Sequence, residues 1–139
     1  MELTANAIQT VAENQNVLFT DTLVEGNCSI MHRNGSGLVT LRGLTNQCRA
    51  RFRVSFGGNI AIPTGGTLDA ISLALALDGE PVATTTVIST PAALEDYNNV
   101  FTAIFLDIPR NCCAQISVIN TSGQAIEVQN ANLIIERVA

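Results

Sequence analysis

Hydrophobic and polar residues alternate over several stretches of the chain. In residues 71–77 leucines alternate with serine and alanine, and in residues 115–118 and 126–129 aliphatic residues alternate with polar ones. Side chains two positions apart lie on the same face of a β-strand, whereas a helix needs apolar residues three and four apart. Only residues 5–13 and 91–97 leave room for a helical turn or two. The pattern therefore predicts an all-β protein.

Turn-forming residues separate these runs at short, regular intervals. The clearest is Asp78-Gly79, between residues 71–77 and 81–89, which is a strong signal for a β-hairpin. Other separators containing Gly, Pro or Asn lie at 33–37, 57–59, 63–66, 109–111 and 121–123. Short strands at this spacing are typical of an antiparallel sandwich or barrel.

We expect a single domain over residues 16–139, preceded by an N-terminal arm or tether over residues 1–15. A tether, a swapped strand and a docking arm are all compatible with the sequence of that arm. A chain of 139 residues can bury a sizeable core without help from a metal or a disulfide.

Composition predicts self-association and argues against two classes of partner. The chain is 47% hydrophobic and 14% charged, so a subunit interface is expected to cover part of its apolar surface. The net charge is −5 and all seven basic residues are arginine, which argues against non-specific nucleic-acid binding. No apolar run approaches the roughly 20 residues of a membrane span. Residues 1–16 lack the features of a secretory signal peptide, so we expect cytoplasmic synthesis and delivery outside by assembly or lysis.

Two segments carry a resemblance to a known family. Residues 75–82 read Leu-Ala-Leu-Asp-Gly-Glu-Pro-Val, and residues 130–139 read Asn-Ala-Asn-Leu-Ile-Ile-Glu-Arg-Val-Ala. They resemble a hairpin and the C-terminal strand in the C-terminal domain of BclA-type collagen-like glycoproteins of spore surfaces. Residues 47–56 sit where that family has its central strand, and the resemblance covers roughly residues 16–139. Stand-alone heads of this kind also resemble decoration and fibre-tip proteins of phage particles.

The resemblance implies an antiparallel jelly-roll β-sandwich of the tumour-necrosis-factor and complement-head type, assembled as a homotrimer. In that architecture the C-terminal strand lies near the threefold axis, so Leu133, Ile135 and Val138 are expected between subunits. The 139 residues contain no Gly-X-Y collagen repeat.

Four cysteines form an even set: Cys28, Cys48, Cys112 and Cys113. Their spacing does not match a zinc site, and we expect no metal or other cofactor. The adjacent cysteines 112 and 113 point to opposite faces if they lie on a strand. At least one disulfide is expected, with its pairing left open, and buried free thiols are the alternative.

Three arginines, Arg49, Arg51 and Arg53, project from one face of a single predicted strand. Like charges about 7 Å apart repel one another and need compensation. One interpretation is a site for an anion or an acidic sugar, because guanidinium groups bind such ligands with paired donors. The favoured interpretation is pairing with carboxylates of neighbouring strands or of the next subunit.

The sequence favours a non-enzymatic structural or surface-display module, a homotrimeric head on a phage particle or bacterial exterior. No catalytic motif or metal-binding run is present. The alternative is a receptor- or glycan-binding module that acts through the arginine face or outer loops. In either case the expected partners are other copies of the chain and a capsid protein, cell-surface protein or glycan. The loop residues expected to make outer contacts are Asn34, Asp78, Glu80 and Tyr97.

Overall fold

The computed structural model describes residues 1–139 as two antiparallel sheets packed face to face. One 3₁₀ turn, Ala83–Thr85, is the only helical element, so neither residues 5–13 nor residues 91–97 form a helix. No helix in the structure is long and apolar enough to span a membrane. The strands are β1 (Glu2–Ala5), β2 (Gln9–Val11), β3 (Asp21–Val24), β4 (Ile30–His32), β5 (Val39–Arg42), β6 (Arg49–Ala61), β7 (Ile71–Leu77), β8 (Glu80–Pro81), β9 (Val87–Ser89), β10 (Asn98–Pro109), β11 (Cys113–Asn120) and β12 (Ile126–Arg137).

Each sheet contains six strands. Sheet A has the order β10-β6-β12-β1-β3, and β2 also pairs with β12. Sheet B has the order β4-β5-β11-β7-β8, and β9 also pairs with β7. Every pairing is antiparallel, so the predicted all-β antiparallel sandwich is confirmed.

The alternation seen in the sequence places one side of each sheet in a shared core. On β6, Ala50, Phe52, Val54 and Phe56 are fully buried, while the arginines between them face outward. The inward side chains of both sheets form one cluster of 27 buried hydrophobic residues. Burial of each large side chain in this cluster stabilises the fold by roughly 1.5–3 kcal/mol.

The N-terminal residues belong to the sandwich. Strand β1 lies between β12 and β3 in sheet A, and Leu3, Ala5 and Val11 are core residues. The expected boundary at residue 16, with a separate arm before it, is therefore wrong. The physical reason is that β12 is long enough to pair with β6 on one side and with both β1 and β2 on the other.

A fully buried amide joins the N-terminal segment to the last loop. The Nδ2 group of Asn120 donates to the carbonyl oxygens of Val11 at 3.0 Å and Gln124 at 2.9 Å. Its Oδ1 accepts from the backbone N–H of Ser122 at 2.9 Å. A buried amide is stabilising only when its donors and acceptor are satisfied, and Asn120 meets that condition.

Candidate functional site

The outer face of sheet A carries an exposed apolar surface whose residues strand register places together. On the edge strand β10, the rings of Phe101 and Phe105 are 62% and 61% exposed. Ala103 lies between them, and the neighbouring strand contributes the small residues Gly57 and Ser55 opposite Phe101 and Ala103. Two large aromatic rings thus lie beside small residues of the same strand and its neighbour.

The next strand extends this surface. Ile134 of β12 lies opposite Ser55 and is 40% exposed, which is unusual in the middle of a sheet. We call the outward-facing residues Phe101, Ala103, Phe105, Ser55, Gly57 and Ile134 the sheet A patch, in which Ser55 is itself buried. Contiguous apolar surface of this kind marks an interaction site more often than it marks ordinary solvent-facing surface.

The three arginines of β6 border the sheet A patch, and all three are in ion pairs. Arg51 makes two hydrogen bonds to the carboxylate of Asp107, at 2.8 and 3.1 Å. Arg49 lies 3.1 Å from the same carboxylate, and Arg53 lies 3.5 Å from Glu136. The structure thus shows the favoured interpretation, in which carboxylates of neighbouring strands compensate the arginines.

One carboxylate serves two of these arginines, and Ala139, the last residue of the chain, lies beside Arg51 at the same corner. The hydrogen bond from Arg51 lowers the pKa of Asp107 below its ordinary value. Desolvation of the carboxylate opposes this shift, and the charges of Arg51 and Arg49 add to it. The same hydrogen bond and charge raise the pKa of Arg51. Both residues therefore keep their charges at any physiological pH.

Carboxylates collect at the opposite edge of sheet A. Glu2 of β1 lies opposite Ile134 of β12. Asp21 lies on the edge strand β3, opposite Thr4 of β1. The Oε2 atom of Glu2 accepts from Asn132 at 2.7 Å, and neither carboxylate has a basic partner. Sheet A thus carries its ion-paired arginines at one side and two carboxylates without a basic partner at the other, with the sheet A patch between them.

The residues expected at a threefold axis need correction. Leu133 and Ile135 have no exposed surface, because they point into the core of their own sandwich. They cannot line an interface between subunits. Val138 follows β12 and is exposed, and the outward residue of β12 within the sheet A patch is Ile134.

Comparison with known proteins places this arrangement among solved folds. No family model matches the chain, and no curated protein matches it. The globular domain of zebrafish complement 1qA protein superposes with a TM-score of 0.56 and 12% identity, covering 96% of this chain and 93% of that chain. The chain has the jelly-roll fold of the complement head. The fold implied by the sequence resemblance is therefore confirmed.

Two further solved structures are similar at lower TM-scores. The C-terminal domain of EclA, described as a sugar-binding protein, has a TM-score of 0.44 and 14% identity over 95% of this chain and 79% of its own. A family 35 carbohydrate binding module from an environmental isolate has a TM-score of 0.40 and 9% identity, covering 100% of this chain and 98% of that chain.

The predicted outer-loop residues of the jelly roll do not form one surface. Asn34 accepts a hydrogen bond from Thr22 at 2.8 Å in the turn after β4. Asp78 and Glu80 lie in the hairpin after β7, where Asp78 accepts from the backbone N–H of Gln115 at 2.9 Å. Tyr97 lies at the opposite end of the sandwich, just before β10.

The cysteines are not bridged. Cys28, Cys48, Cys112 and Cys113 are all free and all exposed, so the expected disulfide is absent and so are the buried thiols. Cys113 is in register with Arg42 on β5, and Cys28 precedes β4 on the far side of β5. An intervening strand therefore separates these two thiols. No group of three or more His, Cys, Asp or Glu side chains is placed to hold a metal ion.

Sequence reasoning missed Phe101 and Phe105. Residues 100–106 read Val-Phe-Thr-Ala-Ile-Phe-Leu, so both faces of this strand carry apolar side chains. A period-two pattern assigns a face only when one side is polar. The one usable signal was that the strand is apolar at every one of these positions except Thr102, a pattern typical of a strand covered on both sides.

Tyr97 has a perturbed ionisation that can be measured directly. Its hydroxyl donates to Glu127, and partial burial, this hydrogen bond and the nearby carboxylates raise its pKa to about 12. The folded state favours the neutral phenol, so this stabilisation is present below the ordinary pKa of 10.0 and is lost as pH rises toward 12.

Because Tyr97 is the only tyrosine and no tryptophan is present, tyrosinate absorbance after a pH jump reports this group alone. We expect a midpoint near 12 before the chain unfolds, and a clearly lower one in Glu127→Gln. Ala92→Gln, in the exposed loop before Tyr97, is the matched control and should leave the midpoint unchanged. A wild-type midpoint near 10 would contradict the Tyr97–Glu127 contact.

Proposed function

We propose that the chain is a non-enzymatic jelly-roll module that assembles as a homotrimer through the outer face of sheet A. Its role is structural or display, as a head on a phage particle or bacterial exterior. The observation that carries the proposal is the sheet A patch, with two phenylalanine rings each more than 60% exposed. A second copy of the chain is the partner that we assign to this surface.

Charge distribution supports a partner that is another copy. The patch lies between the ion-paired Arg49 and Arg51 at one side and the carboxylates of Glu2 and Asp21 at the other. If the arginine side of one copy meets the carboxylate side of the next, every contact places arginines opposite carboxylates. Head-to-tail contacts of this kind form a ring when the rotation from one copy to the next closes, and a ring of three is the smallest such ring beyond a dimer.

The polar groups that border the patch support a binding role over a catalytic one. Asp107 is held by Arg49 and Arg51, and Glu136 is paired with Arg53. A general acid must give up a proton near neutral pH, whereas the hydrogen bond from Arg51 lowers the pKa of Asp107 and keeps that carboxylate ionised.

The test is the solution mass of the reduced protein, measured by light scattering on a sizing column across a range of concentrations. We expect three times the 14.7 kDa of the chain. A stable monomer or dimer would overturn the trimer.

A second candidate function uses part of the same surface. The ring of Phe105 stands beside the Arg51–Asp107 pair, and these three residues line a shallow depression. Sugars stack on exposed rings and bond to paired polar groups, so this depression fits a glycan. Glycan-array binding by the native protein that is lost in Arg51→Ala would favour this function, and binding to no glycan would exclude it.

A further inference from the structure

All four cysteines lie at one end of the sandwich. Cys28 lies in the loop between β3 and β4, Cys48 in the loop between β5 and β6, and Cys112 in the turn between β10 and β11, directly before Cys113 at the start of β11. The loops at the opposite end, at 62–70, 90–97 and 121–125, contain none. We call the end that carries these four residues the cysteine end.

Backbone contacts show that the three loops are neighbours. The guanidinium of Arg42 donates to the carbonyl oxygen of Cys28 at 3.3 Å, and Arg42 is in register with Cys113. The N–H of Gly43 donates to the carbonyl oxygen of Cys112 at 2.8 Å. The N–H of Arg110 donates to the carbonyl oxygen of Cys48 at 3.0 Å. The thiols therefore belong to one continuous surface.

The exposure of these thiols is unusual. Cysteine is among the most frequently buried residue types, yet here all four are exposed and none contributes to the core. Packing therefore does not explain their presence. Exposed thiols are the ones that react with disulfides in solution.

Two of the six possible bridges within one chain are poorly accommodated. Cys112 and Cys113 are adjacent, and a trans peptide holds their Cα atoms about 3.8 Å apart, which is shorter than disulfides usually allow. Cys28 and Cys113 flank β5, and two strand spacings amount to about 9.6 Å, which is too far for a disulfide.

The charges of the cysteine end allow a second copy to approach. Arg42 and Arg110 lie beside the thiols, and the hairpin carrying Asp78 and Glu80 lies at the same end, next to Gln115. Charges of both signs are interspersed, so two such ends face each other without a strong net repulsion.

We propose that the cysteine end forms disulfides with the cysteine end of another copy of this chain, through Cys112 and Cys113. These two residues give each copy a double attachment at the tip of one turn. The disulfide between copies requires only the exposed thiols. Its role, to join separate trimers end to end, rests on the proposed function.

The chemistry is thiol–disulfide exchange with a small-molecule disulfide such as oxidised glutathione. The thiolate of one copy attacks the disulfide, forms a mixed disulfide and releases one glutathione thiol. The thiolate of a second copy then attacks the protein sulfur of this mixed disulfide and releases the second glutathione thiol. In total, two cysteine thiols are oxidised to one disulfide and oxidised glutathione is reduced to two thiols.

The experiment exposes the reduced full chain to a glutathione redox buffer and reads two masses. On a non-reducing denaturing gel we expect covalent species at multiples of 14.7 kDa that return to the monomer with reductant. By light scattering under native conditions we expect the oxidised material to exceed the mass of the reduced assembly. The double variant Cys112→Ser/Cys113→Ser should lose at least nine-tenths of the covalent species, and Cys28→Ser/Cys48→Ser is the matched control that keeps them.

The outcomes separate this proposal from the trimer. Mixed glutathione disulfides alone, or thiols lost without covalent oligomers, would overturn the disulfide between copies. Covalent species whose native mass stays that of the reduced assembly would overturn its end-to-end placement. A reduced protein that is monomeric would overturn only the trimer, because covalent dimers of monomers still form through the cysteine end.

Discussion

Replacement of both Phe101 and Phe105 by serine is expected to convert the trimer into folded monomers. Both rings are more than 60% exposed in the single chain, so the isolated subunit loses little when they are removed. Burial of a phenylalanine is worth about 1.5–3 kcal/mol, so each interface loses roughly 3–6 kcal/mol. That corresponds to an association constant weaker by about two to four orders of magnitude per interface. Light scattering measures the mass, and circular dichroism during thermal unfolding measures the stability of the fold.

The matched control is Met31→Ser. Met31 is 52% exposed, which is close to the value for the two rings, but it lies on β4, the edge strand of sheet B on the side away from β7 and β9. This variant should remain a trimer with unchanged thermal stability. If the double phenylalanine variant were still a trimer, the interface would lie elsewhere and the assignment to sheet A would be wrong.

A chain shortened to residues 16–139 is expected not to fold. The deletion removes β1 and β2, takes three side chains out of the core and leaves the outer edge of β12 without hydrogen-bond partners. Unpaired backbone groups and exposed core surface each cost several kcal/mol, comparable with the whole stability of a small domain. Circular dichroism and proteolysis of the shortened chain measure the loss.

A pair of point variants tests the same strand in a chain that can still fold. Leu3→Ala should lower the free energy of unfolding by about 2–5 kcal/mol, because Leu3 is fully buried. Leu23→Ala on the neighbouring strand should change it by less than about 0.5 kcal/mol, because Leu23 is 65% exposed. Equal effects of the two substitutions, or a stable shortened chain, would show that β1 is dispensable.

The sequence was sufficient for the fold class because local signals agree. Alternation in residues 71–77 and the Asp78-Gly79 turn describe β7 and its hairpin directly, and neither depends on distant parts of the chain. Residues 133–136, Leu-Ile-Ile-Glu, could not be assigned to faces of the sheet in this way. They are apolar at three consecutive positions, so periodicity alone could not show that Leu133 and Ile135 face the core while Ile134 faces outward.

Long-range pairing explains why the N-terminal strands and the partners of the β6 arginines were not predicted. Strands β1 and β2 contain four and three residues, too short for a clear period, and both are held by β12 near the far end of the chain. No local pattern reveals such a partner. The ion pairs of β6 had a partial signal, because three arginines on one face require carboxylates, but Asp107 and Glu136 lie 56 and 83 residues away from their partners.

The position of β1 beside β12 also determines when the protein can fold. The terminal amino group of Met1 donates to the carbonyl oxygen of Ile135, a separation of 134 residues. During synthesis the first strand therefore waits for the last one, for about ten seconds at typical rates of translation. Sheet A also needs β12 between β6 and β1, so half of the sandwich has no complete sheet until β12 has been synthesised. Folding is consequently slow, as expected for a topology dominated by distant pairings.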